Sequence, residues 1–497
     1  MVPPLKQDTP AKTVSRKRQY PHTPVKSAPA IPLNPISLPN TEYTFSTNNS
    51  LQVSFVHSYY RKAFIAESIP PSGLRFVATS TERTEGSESE MTMVSTENGL
   101  SLLFFYGRQI KSLDFVGYLR DVEKLSQCCK SLSRLGRLAL DTSKDDSLDP
   151  LEPCPPLFGS AVNLQTFRIH SNLPFLKRFS FPKLTSFELL VKSTGVFRVS
   201  ELLGFLEASP MLKQVHMEIF AEISLEGVAQ ESVVKLPNVA DLTLIARDGG
   251  QAYKMAAHLS CPTIDQMVLT YDKPVNGMPP TEIFPAPALL EEIVHRNTQT
   301  KNQIEEIQLV IETSPTISCT LLFSCSNCAT IELCFQASPG DEDGLCLPRE
   351  QVYNSILTQA IRTIRGYPHT ADIKRLGICH GTFELNPTQI AHIANETGPL
   401  FRSLRSLYEL CIFSCSIQPY LSHSLKLPSI KEFAILRPQG CSNERIVEAI
   451  EEFVSRRHAA KGEPLERVEI CTSTKLAGVR KPEGCVTIVE CYHDEIF

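Results

Sequence analysis

The chain has 497 residues, of which 42% are hydrophobic and 21% are charged, with a formal net charge of −5 and a pI of about 6.2. This composition can form a buried core, and the slight negative charge excludes binding of the chain as a whole to nucleic acids or anionic membranes. The longest apolar run, residues 100–106, is far shorter than the ~18 residues that a membrane span needs. We therefore expect no nucleic-acid partner and no membrane partner.

Residues 1–40 are predicted to be a disordered, basic, proline-rich tail. They contain nine prolines, and six lysines or arginines against one acidic residue, for a net charge of +5. Such a segment cannot bury enough apolar surface to offset its chain entropy. Arg16, Lys17 and Arg18 match a nuclear-import signal, although solvated basic tails of this kind are commoner. The start of the chain has no apolar signal segment, so we expect the protein in the cytoplasm, the nucleus or both.

Residues 41–99 are poorly defined by sequence. The segments "LQVSFV" and "GLRFVA" are typical of strands, and residues 80–89 are polar and read as a loop.

From about residue 100 onward a repeat of the form L-x-x-L-x-L governs the sequence, with an aliphatic residue, Met or Phe at each fixed position. Six spacings in the first half lie between 20 and 29 residues, and later gaps are longer. A weaker, thirteenth unit combines Cys328 with Ile331 and Leu333. The twelve clear triplets are Ile110/Leu113/Phe115, Leu135/Leu138/Leu140, Leu164/Phe167/Ile169, Leu184/Phe187/Leu189, Leu212/Val215/Met217, Val239/Leu242/Leu244, Ile264/Met267/Leu269, Ile304/Ile307/Leu309, Ile373/Leu376/Ile378, Leu407/Leu410/Ile412, Ile430/Phe433/Ile435 and Leu465/Val468/Ile470.

Amphipathic helices are predicted between the triplets. "VSELLGFLEASP" offers Ser200 as an N-cap and Pro210 as a stop, while "REQVYNSILTQAIRTIRG" and "SNERIVEAIEEFVSRRHAAKG" each carry an apolar stripe. Strands that alternate with helices bury their triplets only against neighbouring units. The predicted fold is therefore an α/β, irregular leucine-rich-repeat solenoid of about 12–13 units over residues 100–497. Its parallel strands line the concave face and its helices line the convex face.

A proline closely precedes several triplets. It occurs in the segments that begin at Phe181, Ser209, Leu236, Cys261 and Leu427. Together with "LLGFLEASPMLKQVHM", this pattern resembles the leucine-rich part of fungal F-box-like proteins, most closely over residues 100–284. The resemblance implies a substrate receptor of an SCF-type cullin–RING ubiquitin ligase, with a Skp-type adaptor and a cullin as partners. Only Leu38, Pro39 and Glu42 match the opening of an F-box, so residues 41–99 mark the position of a degenerate or missing one.

No catalytic constellation is evident, and we expect a protein without a cofactor that is not an enzyme. The sequence contains no nucleotide-binding glycine loop, no HExxH and no G-x-S-x-G motif. Cys379 and His380 are adjacent, and adjacent residues of a strand face opposite ways. A zinc site is the remaining alternative, since four thiols lie within sixteen residues, although buried structural cysteines are the commoner explanation. These thiols are Cys319, Cys325, Cys328 and Cys334.

The sequence favours a non-catalytic protein-recognition module, as a ubiquitin-ligase receptor or, alternatively, as a stand-alone scaffold. A hydrolase or metal protein that uses the cysteine cluster is a third hypothesis. In strands, the residues between the fixed aliphatic positions point to the open face, where solenoids commonly bind partners. Solvated strand residues would show the same polarity. The predicted partner-binding residues are Arg168, His170, Glu188, Gln214, His216, Glu218, Asp241 and Thr243.

Overall fold

The fold is given by a computed structural model, in which all the residues described belong to one unit, Thr41–Phe497. The predicted tail and its basic residues Arg16, Lys17 and Arg18 lie outside the described residues. The structure describes residues 41–45, 51–55, 74–79, 110–116, 119–128, 131–143, 156–171, 175–192, 195–247, 249–274, 283–297, 304–312, 317–326, 329–338, 349–380, 387–413, 430–436, 443–459, 465–472 and 485–492.

These residues form a mixed α/β fold. The strands are β1 (Thr41–Phe45), β2 (Leu51–Phe55), β3 (Leu74–Thr79), β4 (Ile110–Val116), β5 (Arg137–Thr142), β6 (Thr166–Ser171), β7 (Ser186–Val191), β8 (Val196–Arg198), β9 (Gln214–Ile219), β10 (Glu222–Ser224), β11 (Val234–Lys235), β12 (Asp241–Ala246), β13 (Leu259–Ser260), β14 (Gln266–Pro274), β15 (Ile304–Glu312), β16 (Ile317–Cys325), β17 (Thr330–Ser338), β18 (Arg375–His380), β19 (Glu409–Phe413), β20 (Glu432–Leu436), β21 (Leu465–Thr472) and β22 (Cys485–Tyr492). The α-helices are α1 (Leu119–Cys128), α2 (Val199–Glu207), α3 (Gly249–Ala257), α4 (Pro287–Asn297), α5 (Arg349–Gly366), α6 (Pro387–Ser403) and α7 (Asn443–Ala459). Within the described part of the chain, no helix is both long and apolar enough to cross a membrane.

Eighteen of these strands form one large sheet. Adjacent strands of this sheet run parallel to each other, except that β1 is antiparallel to β2 and β16 is antiparallel to both β15 and β17. Two small parallel pairs, β8 with β10 and β11 with β13, lie outside this sheet. The mixed α/β class with a large, mostly parallel sheet is thus confirmed.

The repeated triplets fill the core, as their period of two predicts. Every triplet member whose side chain the structure describes is buried, from Leu113 at one end to Ile470 at the other, and helical residues such as Leu206 and Ile361 join the same cluster. Phe167 of β6 packs against four other phenylalanine rings at centroid distances of 4.9–6.0 Å. Because a β-strand points alternate side chains to opposite faces, one face of the sheet is covered and the other carries the intervening residues.

The prolines that precede the triplets have a local structural role. In the turn before β7, the Leu184 N–H donates to the Phe181 carbonyl at 3.0 Å, with Pro182 at the second position. The Ile264 N–H donates to the Cys261 carbonyl in the same way, also at 3.0 Å. Proline is favoured at this position because its fixed φ suits the second residue of a type I or type II turn. The proline therefore favours the turn that leads into these strands.

One backbone hydrogen-bond pattern links successive units. The N–H groups of Thr185 and Ser186 both donate to the Gln165 carbonyl of the preceding unit, at 2.8 and 2.9 Å. The N–H groups of Lys213 and Gln214 donate to Thr185 in turn, and the same arrangement recurs up to β14. Each unit is therefore held to the one before it at the same point of the repeat.

The order of the units changes after β14. The connections 313–316 and 326–329 are too short for the dozen or more residues that a parallel crossover needs. Accordingly β15, β16 and β17 form an antiparallel meander, in which β17 pairs with β14 and β15 pairs with β18. The unit of Ile331 and Leu333, rather than that of Ile307 and Leu309, thus follows β14 in the sheet. The sequence repeat did not predict β16, which lacks the triplet.

The predicted helices are present with small shifts. Helix α5 spans the predicted segment, and α7 lies within the predicted segment "SNERIVEAIEEFVSRRHAAKG". Helix α2 begins at Val199, so Ser200 lies inside it and the prediction of Ser200 as N-cap is wrong. Arg198 occupies the cap position without a side-chain hydrogen bond.

The described residues between 41 and 99 are strands. β2 pairs with β3 in parallel, and β3 pairs with β4, so these strands continue the large sheet. The segments "LQVSFV" and "GLRFVA" supply β2 and β3, as their composition suggests.

Candidate partner-binding site

The eight predicted binding residues all lie on the open face, which we define as the side of the large sheet opposite the buried triplets. They sit at alternate positions with buried neighbours, as in β9, where Val215 and Met217 are buried beside half-buried His216. Strand register places them in rows: Arg168 lies opposite Glu188, Glu188 opposite His216, and His216 opposite Thr243. The strands β6, β7, β9 and β12 therefore bring seven of these side chains into one block, with His170 at its edge.

The polar side chains of this block pair with one another. Arg168 Nε lies 3.0 Å from Glu188 Oε1, across β6 and β7. Gln214 Nε2 donates to Asp241 Oδ2 at 3.3 Å, across β9 and β12. His216 Nε2 lies 3.0 Å from Glu218 Oε1, two residues along the same strand. The block is thus a network of polar side-chain contacts, made within a strand and between neighbouring strands that lie ~4.8 Å apart.

His170 is held by a separate carboxylate. Its Nδ1 lies 3.2 Å from Asp141 Oδ2 of β5. Burial tends to raise the pKa of Asp141, but hydrogen bonds from Ser143 and the charge of His170 outweigh it, so that the pKa lies below its ordinary value. This pair belongs to the β5 side of the block.

A depression of about 410 Å³ opens between β7, β9 and β12. Its volume lies at the low end of the ~300–1,000 Å³ typical of ligand sites. Five of the eight predicted residues line it, while Arg168, His170 and Glu218 lie outside the lining. The lining consists of Ser186, Phe187, Glu188, Gln214, Val215, His216, Asp241 and Thr243.

Ser186 was missed by sequence reasoning. It lies opposite Gln214, which lies opposite Asp241, so these three occupy the same register. Each of them immediately precedes the middle residue of a triplet. That position is a sequence signal that could have found Ser186.

The same position forms a charged row in the C-terminal half of the sheet. Glu306, Arg375, Glu409 and Glu432 lie in register on β15, β18, β19 and β20. Arg375 bridges Glu306 at 3.4 Å and Glu409 at 3.9 Å. Burial and the neighbouring Glu432 carboxylate raise the pKa of Glu409 above its ordinary value, even though Arg375 opposes them. The open face is therefore polar well beyond the predicted residues.

The cysteine cluster is divided between the two faces of the sheet. Cys319 and Cys325 point into the core from β16, whereas Cys334 of β17 points to the open face, 3.3 Å from the Thr320 hydroxyl. Cys328 lies outside the described residues. Within the described ranges, no group of three or more histidine, cysteine or acidic side chains could hold a metal ion. Since Cys334 faces away from the other two, these thiols do not form the four-ligand site considered above.

The thiols are also poorly suited to nucleophilic chemistry. Burial, with a contribution from Glu312, raises the pKa of Cys379 to about 11. At neutral pH such a thiol is ionised to roughly one part in 10⁴, whereas reactive cysteines have a lowered pKa. Cys379 therefore lacks the environment of an activated nucleophile.

No protein-family model matches the chain, and no curated protein matches it. The fold and the site define a class of protein: a mixed α/β protein whose large, mostly parallel sheet carries polar side chains in register on the face opposite its core.

Proposed function

We propose that the chain is a leucine-rich-repeat solenoid that acts as a non-catalytic protein-recognition module. Three features support the solenoid: the buried triplets, the proline turns, and the hydrogen-bond pattern that recurs from unit to unit. In this proposal the open face is the concave surface, and the helices lie on the convex side.

The observation that carries the proposal is the polar block on β6, β7, β9 and β12, with its depression. A partner can contact side chains from several strands at once there, because neighbouring strands present them in register. Recognition surfaces of this kind combine a few buried contacts with a polar rim. The block supplies the polar rim, with Glu188, Gln214 and Asp241 around the depression.

Between the two forms of this function, the stand-alone module is favoured over the ubiquitin-ligase receptor. A three-helix F-box would occupy residues 41–99, and the described residues there are the strands β1, β2 and β3. These strands continue the sheet, which supports their being part of the recognition surface instead of an adaptor-docking module.

A triple substitution of His216→Ala, Glu218→Ala and Asp241→Ala tests the proposal. Capture of partners from a cell extract should fall at least severalfold, while the free energy of unfolding changes by about 0.5 kcal/mol or less per site, because the three side chains lie on the open face. Glu207→Ala with Lys254→Ala, both exposed on helices, is the matched control and should retain capture. Full capture by the folded triple variant would place the site elsewhere, for example in the insertions after β14 and β17.

Co-purification distinguishes the stand-alone module from the ligase receptor. The tagged wild-type chain should bring down partners that the triple variant loses, without a Skp-type adaptor or a cullin. Stoichiometric recovery of both ligase subunits would overturn the stand-alone form and restore the receptor.

A further inference from the structure

The depression on β7, β9 and β12 is rich in hydrogen-bond acceptors. It contains the carboxylates of Glu188 and Asp241, the hydroxyls of Ser186 and Thr243, and the side-chain amide of Gln214. The amide nitrogen of Gln214 already donates to Asp241 Oδ2 at 3.3 Å, which leaves the amide oxygen as an acceptor. The two carboxylates are pure acceptors, so a ligand that pairs with them must bring donors.

The charges of the lining residues also favour a ligand that brings donors. Among the described residues, Asp241 forms no ion pair, and its carboxylate accepts a hydrogen bond from the neutral Gln214 amide. The carboxylate of Glu188 is paired with Arg168, whose Nε lies 3.0 Å from Oε1. His216, the remaining titratable group of the lining, is turned to Glu218 Oε1 at 3.0 Å. The depression thus offers one unneutralised carboxylate and one that is shared with a rim cation.

We propose that this depression binds an arginine side chain of the protein partner. The inference rests on the proposed recognition function and specifies the chemistry of its central contact. A guanidinium has five N–H donors, a positive charge and no acceptor, so it complements the two carboxylates of the lining. Its planar fork can engage the Asp241 carboxylate with two parallel hydrogen bonds, which a lysine ammonium cannot do.

Arg168 acts in this arrangement as an internal competitor. Its guanidinium holds Glu188 at the rim of the depression in the free protein. A partner arginine that reaches Glu188 must share the carboxylate with Arg168. Removal of the Arg168 charge should therefore strengthen arginine binding, whereas it would abolish the binding of an acidic partner that used Arg168 as its contact.

The test uses the full chain and a Gly/Ser peptide with one central arginine, with binding measured by ligand-observed NMR. Matched peptides carry citrulline, lysine or glutamate at the central position. Asp241→Asn removes the carboxylate charge of the depression, and Asp265→Asn removes the same charge in the turn before β14, outside the lining. Arg168→Gln provides the competitor test. Thermal melts of each variant verify that it is folded.

The arginine peptide should bind the wild-type chain, and the citrulline peptide should bind at least about tenfold more weakly, as loss of a charge-assisted contact predicts. Asp241→Asn should weaken arginine binding by about tenfold and Asp265→Asn by less than about twofold. Arg168→Gln should tighten it severalfold.

Absence of arginine binding, equal binding of citrulline, preference for glutamate, or loss of binding in Arg168→Gln would each overturn the arginine assignment. None of these results would alter the outcome of the partner-capture test with the triple variant, so the two proposals can fail independently.

Discussion

Leu242→Asp is the most direct perturbation of the repeat core. Leu242 exposes 1% of its surface and lies between Val215 of β9 and Met267 of β14 in the sheet. Truncation of a buried leucine costs about 2–5 kcal/mol, and a buried carboxylate without a partner adds several kcal/mol more. The total, about 5–10 kcal/mol, is comparable to the whole stability of a typical domain. We therefore expect the variant to lose the structure around β12 or to become insoluble.

Urea-induced unfolding, followed by far-UV circular dichroism, measures this effect. Leu242→Ala should give an intermediate loss of about 2–5 kcal/mol. Thr243→Asp is the matched control, because Thr243 is the next residue along β12 and lies on the open face, so its cost should be about 1 kcal/mol or less. A soluble Leu242→Asp protein with the wild-type midpoint, or equal losses at the two positions, would refute the assignment of faces.

Two further predictions concern titratable groups. Burial and Glu432 raise the pKa of Glu409, so the folded chain binds a proton at this carboxylate more tightly than the unfolded chain does. The resulting stabilisation is fully present at pH values below the ordinary pKa of the group. It is lost as the pH rises through the raised pKa of the folded state. Glu409→Gln should therefore flatten the decline in unfolding free energy between acidic and neutral pH, and a pH profile identical to that of the wild type would contradict the prediction. Burial also raises the pKa of Cys261 and of Cys319, so both thiols should be alkylated far more slowly in the native than in the urea-unfolded protein, and rapid native labelling in peptide mapping would show that they are accessible.

The sequence predicts the core and the open face well because both depend on a period of two. Phe167, Leu242 and the other described triplet members are buried, and residues such as Glu188 and His216 alternate with them on the other face. Whether a strand residue lies on the buried face or on the open face follows from its position in the repeat alone. The contacts between open-face side chains need the register of adjacent strands, which the sequence does not give.

One part of the fold that the sequence did not predict is the meander of β15, β16 and β17. Its strands are antiparallel because their short connections cannot cross over, and β16 lacks the triplet that marks the other units. The charged row of Glu306, Arg375 and Glu409 was missed for a related reason. Each of them precedes the middle residue of a triplet, but their adjacency becomes evident only once β15 is placed beside β18.

Site-specific photo-crosslinking tests the central claim, that the open face of the sheet is the recognition surface. A photoreactive residue at Gln214, which is exposed in the lining of the depression, should crosslink the captured partner. The same residue at Glu207, which is exposed at the end of α2, should not. Crosslinking from Glu207 with none from Gln214 would contradict the account and move recognition to the helices.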